Sequence, residues 1–244
     1  MSAVLVQHFF RMSLRGKRKW GALIAVMAPA FFAFMAAKNS PSGLFRREAF
    51  LGVAFETVMI FLGLAVLVVA TATFRDDRDS GTFPFVFMNP SSVTGFAASA
   101  MLGGCLASVA VAAAGWAAMA GVSVVLLQSS DYVFPLLALY TAGAVGYSLP
   151  FIPLGYLLSR PFTIGLFYIF VWEGMLASSL SGLRGVSIWR RSFVVLAELA
   201  DISPISGKIG RLPTSIGGWL FGTVVLAVIA GAILVWAFSE RDAL

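Results

Sequence analysis

The sequence predicts an all-α fold, a polytopic integral membrane protein with six transmembrane helices, and three observations carry that expectation. Hydrophobic residues fill 59% of the 244 positions and charged residues only 11%, whereas a soluble domain carries about 25% charged residues. Mean hydropathy is +0.92. The basic residues behind the net charge of +6 cluster in stretches that flank the apolar runs, where they set topology or meet anionic headgroups rather than nucleic acid.

A helix rises about 1.5 Å per residue and needs about 20 apolar residues to cross about 30 Å of hydrocarbon. Six segments meet that length, at about 20–37, 49–73, 94–127, 133–158, 162–180 and 216–238. The third would reach roughly 50 Å, so it tilts or projects beyond the bilayer. The chain 1–244 reads as one transmembrane domain without a soluble module, long linker or internal repeat.

Residues 1–19 precede the first span. There "VLVQHFFRMSLRGKRK" sets Leu5, Phe9 and Met12 on one helical face and Gln7, Arg11 and Arg15 on another, the pattern of a helix lying in the membrane interface. His8 belongs to that helix as a headgroup-level residue. The basic run Lys17, Arg18 and Lys19 then places the N-terminus in the cytoplasm by the positive-inside rule, and six spans return the C-terminus to the same side. Between the fifth and sixth spans, the external segment 183–213 carries an apolar stripe of Ile188, Trp189, Ser192, Phe193, Leu196 and Leu199. Arg190, Arg191, Glu198 and Asp201 fall elsewhere, so a second interfacial helix is expected after Ser187 and before Pro204.

Enzyme signatures are absent. The chain has no His-Glu-x-x-His, no Gly-x-Ser-x-Gly and no phosphate loop ending in Gly-Lys-Ser/Thr. The single cysteine, Cys105, allows neither an internal disulfide nor a Cys-rich metal site. No catalytic residue, resident metal or cofactor is therefore expected. Two ionisable residues fall inside spans, Glu56 in the second and Glu173 near the middle of the fifth. A charged carboxylate at that depth costs on the order of 3 kcal/mol, so each is expected to face protein or water. For Glu173 the readings are a helix-to-helix hydrogen bond or ion binding. Gly218-x-x-x-Gly222 in the sixth span allows close helix approach.

The stretch 75–92 after the second span is the most specific. Arg75, Asp76, Asp77, Arg78 and Asp79 end the span, Ser80-Gly81-Thr82 offers a flexible point and a capping hydroxyl, and Pro84 suits the first turn of a new helix. Phe83, Val86 and Phe87 then form a short apolar face before Asn89-Pro90. A solvated loop needs no such aromatics, so a short cytoplasmic helix presented to an apolar partner is expected.

"DRDSGTFPFVFMNPSS" resembles the acidic-Arg-acidic, Gly-Thr-Leu, apolar run and Pro-x-Ser pattern after the second span of ABC type-2 transporter permeases. The resemblance extends to the amphipathic N-terminal helix, the six spans, Trp172-Glu173 in the fifth, the external segment and the short charged tail. Asp77 and Asp79 stand where glutamates are commoner, and Phe83 where Leu is usual. The resemblance implies a cytoplasmic coupling helix seated in a separate ATP-binding subunit, with contacts from Asp77, Arg78, Asp79, Gly81, Thr82, Phe83, Val86 and Phe87. It further implies a second permease subunit, identical or related, ATP and Mg held by the partner, export as the direction, and a bacterial cytoplasmic membrane as the location. Two other readings remain open at this point: an ion-coupled secondary carrier using Glu56 and Glu173, and an integral-membrane enzyme or assembly factor.

Overall fold

A computed structural model describes residues 2–41, 43–75, 92–180, 185–201 and 215–241. Every regular element among them is helical. In chain order they are α1 (Ala3–Ser13), α2 (Arg18–Lys38), α3 (Gly43–Thr71), α4 (Val93–Leu127), α5 (Val133–Leu157), α6 (Pro161–Phe167), a π-helical stretch Tyr168–Leu176, the short α7 (Ala177–Ser179), α8 (Ile188–Leu199) and α9 (Ile216–Arg241). Among the described residues five helices, α2, α3, α4, α5 and α9, are long and apolar enough to cross a membrane. The expected span 162–180 falls on a continuous helical run, Pro161–Ser179, nine residues of which are π-helical, and its apolar stretch is shorter than those of the five long helices. Hydropathy measures how apolar a segment is and is blind to its backbone register.

The long helices alternate in direction. One end of the bundle gathers the start of α2, the end of α3, the start of α4 and the ends of α5 and α9; the opposite end gathers Lys38, Gly43, Leu127 and Val133. α5 is the most enclosed, with 72% of its apolar window buried against 17% for α9. Accordingly α5 touches α3, α4, α6, α8 and α9, whereas Phe221, Val224, Val228 and Trp236 of α9 are exposed. α5 runs unbroken through Pro150 and Pro153.

Local sequence explains the boundaries. Ser92 caps α4, its side-chain oxygen accepting the Gly95 N–H at 3.1 Å, and Gln128 closes the helix in the left-handed region at φ 51°. α3 begins at Gly43, earlier than the apolar run, so Arg46, Arg47 and Glu48 are helical. Charged side chains can be solvated beyond the hydrocarbon without interrupting backbone hydrogen bonds, and the helix therefore outlasts the hydropathy signal.

Glycines set the closest approaches. A Cβ on Gly115 of α4 would lie 2.6 Å from the carbonyl oxygen of Val26 in α2 and 2.7 Å from the Tyr140 ring of α5. On Gly103 it would meet Phe9 and the Val6 carbonyl of α1, both at 2.7 Å. The apolar stripe of α1 thus faces protein: Leu5, Phe9 and Met12 are buried against α4, where the interfacial expectation had them meet lipid. Gly103 supplies the groove that makes this contact possible.

Because backbone atoms block Gly115, the neighbours cannot give way. Gly115→Leu should destabilise the bundle by about 1–3 kcal/mol or more, whereas Gly121→Leu on the same helix, where an added Cβ meets nothing within 4 Å, should be neutral. Thermal unfolding of both variants in detergent checks this; equal losses would contradict the helix contacts.

Candidate functional site

Functional interest falls on two places, the end of the bundle from which residues 76–91 depart and the interior around Glu173. Asp77, Arg78, Asp79, Gly81, Thr82, Phe83, Val86 and Phe87 lie outside the described residues, but both roots of their segment are described.

Phe74, just past α3, is fully buried. Its ring meets Phe9 of α1 edge-on at 5.4 Å, Tyr156 of α5 at 5.3 Å and Phe238 of α9 at 5.9 Å. Phe96, in the first turn of α4, meets Phe9 at 5.3 Å and Phe238 at 5.2 Å, and Tyr156 meets Phe238 at 4.7 Å. Each such edge-to-face pair is worth roughly 0.5–1.5 kcal/mol beyond the area it buries. Beside them the hydroxyls of Ser13 and Thr73 lie 3.0 Å apart, bonding the end of α1 to the end of α3. An added Cβ on Gly155 would stand 2.7 Å from the Thr71 carbonyl oxygen, so α5 closes directly on α3. The chain leaves this cluster at Arg75 and rejoins it at Ser92, so both roots of the segment rest on one aromatic platform built from α1, α3, α4, α5 and α9.

Glu173 is buried in the π-helical stretch. In an α-helix residues five apart diverge by about 140°; the wider register, bonded i to i+5, brings Tyr168 round so that its hydroxyl donates to Glu173 Oε1 at 3.0 Å. The other donors come from the start of α8. The Ser187 hydroxyl donates to Oε2, and the Ile188 N–H donates to Oε1 at 2.8 Å. Ser187 Oγ in turn accepts the Arg190 N–H at 3.1 Å. Ser187 is thus the N-cap foreseen from the sequence, and Glu173 reaches across to satisfy a further orphan donor of the same helix.

α8 is consequently seated within the bundle. Its Ile188 fills the notch at Gly146, mid-way along α5, where an added Cβ would lie 2.7 Å from Ile188 Cγ2. Trp189 and Phe193 pack on Phe55 of α3, and the Arg190 guanidinium lies 5.9 Å from that ring's centre. Ile188, Trp189, Ser192, Phe193 and Leu196 of the expected stripe are buried, while Leu199 is exposed. Arg190, expected off the stripe, is buried as well.

Arg191 anchors the opposite side of α8. Its Nη2 donates to the carbonyl oxygens of Gly218 at 2.9 Å and Trp219 at 3.4 Å. Burial lowers the pKa of this guanidinium from the ordinary arginine value. A Cβ on Gly222 would sit 1.3 Å from Nη2. Gly218-x-x-x-Gly222 therefore admits an arginine head rather than a second helix backbone. A glycine in an apolar span and an arginine in an amphipathic segment gave no joint signal in the sequence.

Glu56 behaves otherwise. It is exposed on the outer face of α3, one turn after Gly52, whose added Cβ would meet nothing within 4 Å. The two carboxylates thus have different surroundings, one hydrogen-bonded inside the bundle and one facing outward. No group of three His, Cys, Asp or Glu able to hold a metal occurs among the described residues. In comparisons with known proteins, no family model, curated protein or solved structure matches the chain.

The geometry at Glu173 predicts a sharp contrast between two substitutions. Glu173→Gln keeps a carbonyl for Ile188 and Tyr168 and offers an NH2 to Ser187 Oγ, so stability should change little. Glu173→Leu leaves the Ile188 N–H without its acceptor, at roughly 1–3 kcal/mol for each buried group left unsatisfied. Unfolding midpoints of the two variants in detergent measure the difference; equal midpoints would contradict the capping role.

Proposed function

We propose that the chain is the membrane permease subunit of an ATP-driven exporter of the type-2 ABC kind, embedded in a bacterial cytoplasmic membrane with both termini in the cytoplasm. In this reading the helical run Pro161–Ser179 is the fifth of six crossings, and segment 75–92 is the coupling helix that seats in a separate ATP-binding subunit. ATP and Mg belong to that partner.

The observation that carries the reading is the aromatic platform under both roots of the segment. A lever transmits motion only if its base is stiff. Phe74 and Phe96 root the segment in rings contributed by α1, α5 and α9, so displacement by closing ATP-binding subunits passes to the helix ends together rather than dissipating in a loose loop. Two access states of the bundle then exchange as the partner binds and hydrolyses ATP.

Glu56 supports pairing with a second permease chain. A carboxylate on the outer face of an apolar helix is costly against lipid; a second chain, or the water-filled path between two chains, gives it a polar surrounding. The ion-coupled reading draws less support, because the Glu173 carboxylate is already occupied by donors from Tyr168, Ser187 and Ile188.

Burying one aromatic side chain contributes roughly 1.5–3 kcal/mol, so Phe83→Ala with Phe87→Ala should weaken retention of the ATP-binding subunit at least tenfold while membrane insertion persists. The measurement is ATPase activity co-purifying with the tagged chain in mild detergent, followed by ATP-dependent transport in vesicles. Undiminished retention and transport in the double variant would contradict the proposal.

A further inference from the structure

At the end of the bundle opposite the aromatic platform, a cavity of about 420 Å³ opens where α3 and α5 begin and α4 ends. Its wall includes Arg46, Arg47, Gln128, Ser129, Asp131 and Tyr132. Nothing in the permease reading calls for it.

The two arginines are oddly placed for stability alone. α3 has no acidic residue in its first turn, and Arg46 and Arg47 follow close behind, near the positive end of the helix dipole, where cations are disfavoured. Among the described residues neither forms an ion pair. Arg46 Nε donates to the Ser40 carbonyl oxygen at 3.4 Å, and the Arg47 guanidinium lies 5.6 Å from the centre of the Tyr132 ring. These contacts orient the two heads without neutralising them. Asp131, the one acid among the described residues of the wall, is engaged by Ser129, whose hydroxyl donates to Oδ2 at 2.8 Å while Ser129 Oγ accepts the Asp131 N–H at 3.1 Å. The residues that line the cavity therefore carry an excess of donors: two guanidiniums, the Gln128 amide and the Tyr132 hydroxyl.

We propose that this cavity binds a phosphate group, carried by an anionic lipid headgroup or free in solution. Two guanidinium forks beside further neutral donors suit a tetrahedral oxyanion, whose several oxygens can each accept a bond. The site lies at the ends of the long apolar helices, the level at which headgroup phosphates sit. Beside the arginines on the same turn of α3, Leu44 and Phe45 are 76% and 60% exposed, an apolar surface against which an acyl chain can lie.

The test is thermal unfolding of the purified full-length chain in non-ionic detergent, titrated separately with inorganic phosphate, phosphatidylglycerol and phosphatidylcholine. A saturable rise in midpoint with phosphatidylglycerol, absent with phosphatidylcholine, is expected. An accompanying rise with inorganic phosphate identifies the free anion as sufficient; its absence identifies the lipid headgroup. Arg46→Gln with Arg47→Gln should weaken the apparent affinity at least tenfold, whereas Arg11→Gln, an exposed arginine on α1, should not. If the double variant is too unstable to purify, Arg46→Gln alone is compared with wild type by counting phosphatidylglycerol molecules retained per chain in native mass spectrometry, and fewer are expected. The proposal is overturned if neither phosphate nor phosphatidylglycerol gives a saturable shift, if phosphatidylcholine matches phosphatidylglycerol, if Arg11→Gln loses as much as the double variant, or if retention by Arg46→Gln equals that of wild type.

Discussion

A carboxylate inside an apolar bundle and the N-terminus of a helix that starts inside that bundle each carry a large desolvation penalty, and in this protein they offset one another. Glu173 accepts from Ser187 and Ile188 at the head of α8 and from Tyr168 on its own strand of π-helix. Buried among other helices, as Ser187 and Ile188 are, the first amides of a helix must find partners in the protein. Seating α8 at the mid-length of α5 is possible because that acceptor is there. The remaining contacts of α8 follow from its position: Ile188 in the notch of Gly146, Trp189 and Phe193 on Phe55, and Arg191 laid over Gly222.

The same logic of satisfied contacts orders the two ends of the bundle. At one end five rings, from α1, α4, α5, α9 and the residue Phe74 just past α3, fill the space where α3 stops and α4 starts, and the chain leaves them at Arg75 and returns to them at Ser92. At the other end the helix termini leave a cavity whose two arginines, Arg46 and Arg47, form no ion pair among the described residues. α3, α4 and α5 run between both ends, close-packed through Gly104, Gly143 and Gly155. Close packing of this kind transmits displacement between helices rather than absorbing it residue by residue, which is what the proposed lever-driven switch would require.

Much of this was legible in the amino-acid order. Five apolar runs became long helices because hydrocarbon thickness sets a length that hydropathy detects directly. Ser187 announced the start of α8, and Leu5, Phe9 and Met12 announced the buried face of α1. Hidden from it was what each face meets. An amphipathic stripe has the same pattern whether it rests on lipid or on a neighbouring helix, and for α1 the contacts that distinguish the two, Gly103, Phe74 and Phe96, lie far away in sequence. The π register of Tyr168–Leu176 was equally hidden, since hydropathy reports how apolar a segment is and not whether it bonds i to i+4 or i to i+5. Glu56 and Glu173 look alike in sequence, yet one faces out and the other is enclosed. Arg191 and Gly222 belong to a contact that neither residue type signals alone.

The account rests on Glu173 holding the head of α8 in the bundle, and amide hydrogen exchange in lipid nanodiscs tests it most directly. In Glu173→Leu, amides 188–192 should exchange at least tenfold faster than in wild type, while those of 147–152 in the middle of α5 stay protected and Glu173→Gln resembles wild type. Unchanged protection of 188–192 in Glu173→Leu would show that α8 is held by something other than this carboxylate, and would contradict the account.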